Sequence, residues 1–228
     1  MVCLITAVSG VLAAYGISRT VTSMAQVSDI RRAYRIVIDA GHGEPDGGAT
    51  SCTGRMEHLY NLEIAQRLKD LMELLGHRTV MTRQDEYSVF KEGTTIAEKK
   101  ISDLKERVRI TNETGNSILI SIHQNHYPDS RYSGPVVLYA SGEESKTLAS
   151  MTQQALNSAL APESKRQYKA AEGIYLLSHI HCPGILVECG FLSNAAEEAK
   201  LSKPAYQKQL CCVLAGTVSQ YLANKEKA

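Results

Sequence analysis

The 228-residue sequence contains no tryptophan and only two phenylalanines, so tyrosine supplies most of its aromatic side chains. The absence of tryptophan argues against an aromatic platform for stacking bases or sugar rings. Positive charge is not in excess either, because 25 Lys and Arg against 24 Asp and Glu leave a net charge of +1. Without a basic field, the largest sequence-independent contribution to nucleic-acid affinity is missing. We therefore expect no nucleic-acid partner.

Other common signatures are also missing. The six cysteines show no Cys-x-x-Cys spacing, and the adjacent pair Cys211 and Cys212 would be an awkward disulfide framework, so we expect mostly free thiols. The glycine-rich stretch GHGEPDGG lacks the Gly-x-x-x-x-Gly-Lys-Ser/Thr pattern that cradles phosphate. What remains, with 43% hydrophobic and 21% charged residues, is the composition of a globular protein.

An uncharged apolar run occupies residues 2–17. As a helix it would reach only about 24 Å, against about 30 Å for the hydrocarbon core of a bilayer. This length suits a signal peptide or a short anchor, although no Lys or Arg precedes it, and a buried helix is the alternative. We expect residues 1–34 to be this segment plus a linker, which could associate with a membrane. Residues 35–228 are then expected to form a single domain, which a signal peptide or anchor would place outside the cytoplasm.

From residue 35 onward, short apolar runs alternate with amphipathic segments. The pattern predicts strands at 35–39, 78–82, 117–122, 136–140, 174–177 and 184–188, and helices at 58–75, 103–114, 144–160 and from 204 onward. Asp103 followed by Glu106 resembles a capping box at the start of the second helix. His58 and His77, at the ends of the first helix, are expected on the surface. The alternation predicts an α/β fold, a mostly parallel sheet covered by helices on both faces.

Three predicted strands end in a residue that can bind a metal or transfer a proton: His42, His123 and Glu188. Because the carboxyl ends of parallel strands face one crevice, we expect these side chains to converge. Glu57 is a fourth candidate, since the glycine-rich loop before it is long enough to fold it over the crevice. Two imidazoles and one carboxylate suit a catalytic zinc site, with the fourth tetrahedral position left for water.

Each candidate also has a structural alternative. His42 could be a turn residue, Glu57 could complement a helix dipole, and His123 could be a core histidine. Glu188 is harder to explain structurally, because a carboxylate at the end of an apolar strand needs a partner or has a raised pKa. This favours a functional role for Glu188.

Six segments together resemble the zinc-dependent N-acetylmuramoyl-L-alanine amidases of the bacterial cell wall. In chain order they are IVIDAGHGEPDGGA, TGRMEHLYNLEIAQRL, TVMTR, LKERVRITN, ISIHQNH and ILVECGFLSN, and the resemblance covers residues 35–224. It implies that residues 35–228 are a zinc amidase catalytic domain. In this domain His42, Glu57 and His123 would bind one zinc ion and Glu188 would be the catalytic carboxylate. It also implies the substrate, which is the amide between the lactyl group of N-acetylmuramic acid and the L-Ala of the peptidoglycan stem peptide.

Within this family, the short chain, the apolar N-terminus and the segment SVFKEGTTIAEKKISDLKERV most resemble the spore-cortex, germination-specific amidases. This resemblance implies a role in sporulation, in which stem peptides are removed on the way to the muramic δ-lactam that germination enzymes recognise. No wall-binding repeat is present in the sequence. Targeting is therefore expected to come from the N-terminal segment or from an accessory activator protein.

Two motifs depart from the family pattern. AGHGEPDGG stands where PGHGG is more common, and IHQNHY replaces SIHxNA, which places His126 where a small residue is usual. Asn125 and His126 are candidate substrate-binding residues in the crevice.

Two alternative functions remain open, a zinc peptidase that cuts within the stem peptide and a non-catalytic wall-binding module.

Overall fold

The computed structural model describes residues 33–225. The predicted signal or anchor segment and most of its linker lie outside these residues. Within residues 33–225, no helix combines the length and the apolar character needed to span a membrane.

The part of the chain that the structure describes forms six strands and six helices. In chain order these are β1 (Arg35–Ala40), α1 (Glu57–Leu74), β2 (Arg78–Met81), α2 (Ile96–Glu113), β3 (Ser117–Asn125), β4 (Val136–Tyr139), α3 (Glu143–Leu160), β5 (Lys169–Ala170), α4 (Tyr175–His179), β6 (Gly184–Phe191), α5 (Ala195–Leu201) and α6 (Pro204–Lys225). The strands lie in the order β2-β1-β3-β6-β4-β5. Every neighbouring pair is parallel except β4 and β6, so the predicted α/β fold with a mostly parallel sheet is confirmed.

Both faces of the sheet are covered. Successive strand residues point to opposite faces, so the even-numbered Ile36 and Ile38 of β1 pack into a large core with α1, α3 and α6. Val37 points the other way, into a smaller core that includes Leu176 and Leu177 of α4 and is bordered by Val108 of α2. The strands are thus buried on both sides, as parallel strands usually are.

Two predicted elements are wrong. Residues 174–177 were expected to be a strand, but Tyr175–His179 form the short helix α4, because a brief apolar run fits either structure equally well. The second helix begins at Ile96 rather than at residue 103. Its capping box is formed by Thr95 and Glu98, with the Glu98 N–H donating to Thr95 Oγ1 and the Thr95 N–H donating to Glu98 Oε2.

The predicted surface positions of His58 and His77 are also wrong, since the two residues are only 2% and 4% exposed. The glycine-rich loop covers His58, whose Nδ1 lies 3.3 Å from the Gly47 carbonyl. Helix α6 covers His77, whose Nε2 lies 3.0 Å from Ser219 Oγ. Both ends of the helix are buried because other segments of the chain pack over them. The sequence of the helix alone does not predict this packing. The five described cysteines are free, as expected.

Candidate active site

Three residues from separate elements converge at the carboxyl edge of the sheet. His42 lies in the loop after β1, Glu57 is the first residue of α1, and His123 lies near the end of β3. Glu57 bridges the two rings, with Oε2 3.3 Å from His42 Nε2 and Oε1 3.1 Å from His123 Nδ1. One nitrogen or oxygen atom from each residue lies within 4.8 Å of the other two. The structure therefore brings together the three proposed metal ligands.

Two glycines allow the backbone to approach these side chains closely. A Cβ on Gly41 would lie 2.2 Å from Nε2 of His123. Gly48 has φ +70°, and a Cβ there would lie 2.6 Å from Oε2 of Glu57 and 2.8 Å from Cδ2 of His42. Any larger residue at either position would displace a member of the cluster.

Glu57 is buried and is held by three hydrogen-bond donors besides the two histidines. Its Oε1 accepts from the Gln124 N–H and from Asn61 Nδ2, each at 3.1 Å, and its Oε2 accepts from the Ala49 N–H at 3.0 Å. Burial alone would favour the neutral acid, but hydrogen bonds and charges from the two histidines hold the pKa of Glu57 well below its ordinary value. The carboxylate is therefore ionised and fixed in orientation.

His42 is oriented from behind by Asp46. Its Nδ1 donates to Asp46 Oδ2 at 3.0 Å, and Asp46 also pairs with Lys100 Nζ at 2.9 Å. Burial opposes protonation of the ring, but the carboxylates of Asp46 and Glu57 raise the pKa of His42 to about 9. A carboxylate that accepts from the outer nitrogen of a ligand histidine fixes its tautomer and ring position. Asp46 was not predicted from the sequence, although it lies four residues after His42 in the same glycine-rich motif.

Glu188 lies beside the cluster but outside it. On β6 it is the register partner of His123 on β3. Its Oε2 is buried and has no hydrogen-bond partner within residues 33–225. Burial raises the pKa of Glu188 to about 7, with a further contribution from the charge of Glu57, against the opposing charges of the histidines. A carboxylate with this pKa can take up and release a proton near neutral pH.

The two candidate substrate-binding residues lie just beyond this site. Asn125 ends β3 and is half-buried, and its carbonyl accepts from the Leu192 N–H at 2.8 Å. His126 is exposed on the segment that follows. The sheet register shifts between His123 and Asn125, so Asn125 lies opposite Phe191. A role for either residue in substrate binding stays a prediction.

The donor set fits a zinc ion. Two imidazoles and one carboxylate leave a coordination position open, and the side chains of His42 and His123 are 18% and 19% exposed, so a small molecule can reach them. An ionisable carboxylate, Glu188, lies next to this set. An α/β domain with such an arrangement at the carboxyl edge of its sheet has the residues that a hydrolase requires.

Comparison with known proteins agrees with this interpretation. The chain matches the family described as N-acetylmuramoyl-L-alanine amidase over residues 36–219. It is 35% identical over 193 residues to the germination-specific N-acetylmuramoyl-L-alanine amidase of Bacillus subtilis (strain 168), with 83% of this chain and 80% of that protein covered.

Two solved structures have the same fold. The CwlD amidase from Clostridioides difficile, in complex with the GerS lipoprotein, matches with a TM-score of 0.80 at 32% identity, covering 83% of this chain and 98% of that one. An N-acetylmuramoyl-L-alanine amidase from Clostridium difficile 630 matches with a TM-score of 0.74 at 29% identity, covering 85% and 99%. The chain belongs to the N-acetylmuramoyl-L-alanine amidase family of peptidoglycan hydrolases, and the resemblance found in its sequence is confirmed.

Proposed function

We propose that this protein is a zinc-dependent amidase that hydrolyses the bond between the lactyl group of N-acetylmuramic acid and the L-Ala of the stem peptide. The observation that carries the proposal is the convergence of His42, Glu57 and His123 beside Glu188, in a chain of the amidase family. No other group of three or more His, Cys, Asp or Glu side chains within residues 33–225 is arranged to hold a metal.

His42, Glu57 and His123 would hold the zinc ion. When bound there, zinc supplies Lewis-acid polarisation of the scissile carbonyl and activation of water. Asp46 accepts a hydrogen bond from Nδ1 of His42 and so directs Nε2 of that ring toward Glu57. Hydrogen bonds and charges from His42 and His123 keep Glu57 ionised, so the ligand set contributes one negative charge.

Glu188 moves the proton in this proposal. Its Oε2 has no partner within residues 33–225 that would compete for a proton, and its pKa of about 7 lets it act in either direction near neutral pH. It takes a proton from the attacking water and passes it to the nitrogen of the departing L-Ala, so one carboxylate serves as base and then as acid.

We further propose a spore-cortex role and a location outside the cytoplasm. The germination-specific relative from Bacillus subtilis supports the first, since it aligns over most of both chains. The substrate supports the second, because peptidoglycan lies outside the cytoplasmic membrane. An anchoring role for residues 1–34 remains a prediction.

An accessory protein also belongs to the proposal. The CwlD amidase that shares this fold was solved in complex with the GerS lipoprotein. If the present enzyme needs such a partner, the purified protein alone should turn over cortex peptidoglycan slowly and should accelerate when an extract of sporulating cells is added. Full activity of the purified protein without any addition would contradict this part.

Muropeptide analysis tests the enzymatic proposal. Purified protein is incubated with cortex-type peptidoglycan, with zinc or with a chelator, and the products are identified by mass spectrometry. The amidase leaves peptide-free muramic acid and releases stem peptides that begin with L-Ala, and chelation stops both. Glycan that retains L-Ala would instead indicate a peptidase. Intact peptidoglycan bound by zinc-loaded protein would indicate a wall-binding module.

A further inference from the structure

Two buried arginines surround the backbone that carries His42. Arg107, on α2, is 1% exposed. Its Nε donates to Asp103 at 2.7 Å and its Nη1 donates to Asp39 at 2.6 Å, which balances its charge. The same guanidinium reaches the ligand loop, where Nη1 donates to the Ala40 carbonyl at 2.7 Å and Nη2 to the His42 carbonyl at 2.5 Å.

Arg83, two residues after β2, completes the set from another direction and is 3% exposed. Its Nε donates to the Ala40 carbonyl at 2.8 Å, and its Nη2 donates to the carbonyls of Gly41 at 3.0 Å and His58 at 2.8 Å. Its Nη1 donates to the Asp85 carbonyl at 2.7 Å. Every one of these acceptors is a backbone oxygen, so Arg83 acts on chain position rather than on another side chain.

The backbone they hold is strained at the ligand itself. His42 has φ +60°, which is unfavourable for a residue with a Cβ and persists only where its surroundings enforce it. The two arginines bind three successive carbonyls, those of Ala40, Gly41 and His42, and a fourth on His58, the residue after the ligand Glu57. The backbone of His42 and that of the residue next to Glu57 are therefore tied to the same pair of guanidinium groups.

We infer that Arg83 and Arg107 are positioning residues that hold His42 in its left-handed conformation, at the correct distance from Glu57, and thereby set the affinity of the site for zinc. This inference rests on the proposed function. A guanidinium is needed because its planar fork donates to several carbonyls at once, whereas a lysine ammonium is a single point on a flexible stem. Groups that orient metal ligands from outside typically change metal affinity 10- to 100-fold when they are altered.

The test compares Arg83→Lys and Arg107→Lys with the unchanged full-length protein. Arg67→Lys is the matched control, because Arg67 is a half-buried arginine on α1 whose Nε donates to Gln207 at 2.8 Å. Zinc affinity is measured by competition with a chromophoric chelator, well below the unfolding temperature. Cobalt replaces zinc in a second measurement, because its visible absorption reports coordination geometry independently of turnover.

We expect each lysine variant to fold, to bind zinc about 10- to 100-fold more weakly and to give an altered cobalt spectrum, while Arg67→Lys matches the unchanged protein. Unchanged zinc affinity and cobalt spectrum in the folded variants would overturn the inference, even if their unfolding temperature falls. The absence of zinc binding by the unchanged protein would instead contradict the proposed function.

Arg83 lies in the loop after β2 and Arg107 on α2. If one lysine variant fails to fold, the zinc affinity of the other therefore decides the test. Should both fail, Asp103→Asn is measured in their place, because it keeps both arginines, weakens the hold on Nε of Arg107 and retains an oxygen to accept from the Val89 N–H. Weaker zinc binding by folded Asp103→Asn supports the inference, and unchanged binding overturns it.

Discussion

Replacement of Glu188 by glutamine separates proton transfer from metal binding. Glutamine has nearly the same shape as glutamate, and the neighbours Val187 and Cys189 on β6 are fully buried, so the strand should keep its packing. The change removes a buried charge whose Oε2 has no hydrogen-bond partner within residues 33–225. Because burial of an unpaired charge is costly, we expect the metal-free variant to unfold at the same temperature as the unchanged protein or higher.

The expected cost to catalysis is large. Loss of a general acid or base typically slows turnover by about 10²- to 10⁴-fold, which corresponds to about 3 to 5 kcal/mol of transition-state stabilisation. The pH profile should also change. Glu188 acts first as a base, so turnover by the unchanged enzyme should rise as the pH passes through the Glu188 pKa of about 7, and the variant should lack this rise.

Zinc content and turnover are measured on the same samples, by elemental analysis and by release of stem peptides from cortex peptidoglycan. We expect Glu188→Gln to contain zinc at the level of the unchanged protein, because Glu188 lies outside the His42, Glu57 and His123 cluster. Parallel loss of zinc and activity would show that Glu188 is a ligand and would reopen the assignment of Glu57. Normal turnover would remove Glu188 from the mechanism.

Three further predictions follow from the same geometry. His123→Ala should remove stoichiometric zinc in elemental analysis without unfolding the domain, and full retention would exclude His123 from the site. Asp46→Asn should weaken zinc binding about 10- to 100-fold in a chelator competition, and unchanged affinity would show that Asp46 does not orient the ring of His42. Burial opposes ionisation of Asp39, but Arg107 holds its pKa at about 2, below the ordinary 3.8. Stability of about 2 kcal/mol should therefore be present above pH 4 and lost as the pH falls to 2, and urea unfolding of Asp39→Asn should lack this loss.

The sequence was sufficient to predict the positions of His42, Glu57 and His123 because they lie at or near element ends. Glu188 was expected to end its strand, but it lies within β6, which continues to Phe191. The start or end of a strand or helix leaves a pattern in the chain, and parallel topology then brings these ends together. The prediction of strands β3 and β6 is the most important step, because the pairing of these strands places His123 beside Glu188.

Arg83 and Arg107 could not be predicted in the same way. Their partners are mainly backbone carbonyls, which every residue offers, so no spacing of residue types marks the contact. Asp103 illustrates the same limit. It matched a helix-capping pattern with Glu106, but in the structure it lies inside α2, where it accepts from Arg107 one turn further along the helix and from the Val89 N–H of the preceding loop.

The core beneath the site cannot be completed during translation until helix α6 has been made. Leu210, Leu214, Val218 and Leu222 of this helix are buried in the large core, where α6 packs against both α1 and α3. All the proposed ligands and Glu188 leave the ribosome before these four residues do. Until α6 follows, one face of the sheet lacks part of its cover, and the nascent chain exposes apolar surface. The site residues are therefore translated first, and the core that supports them is completed only once α6 has been translated.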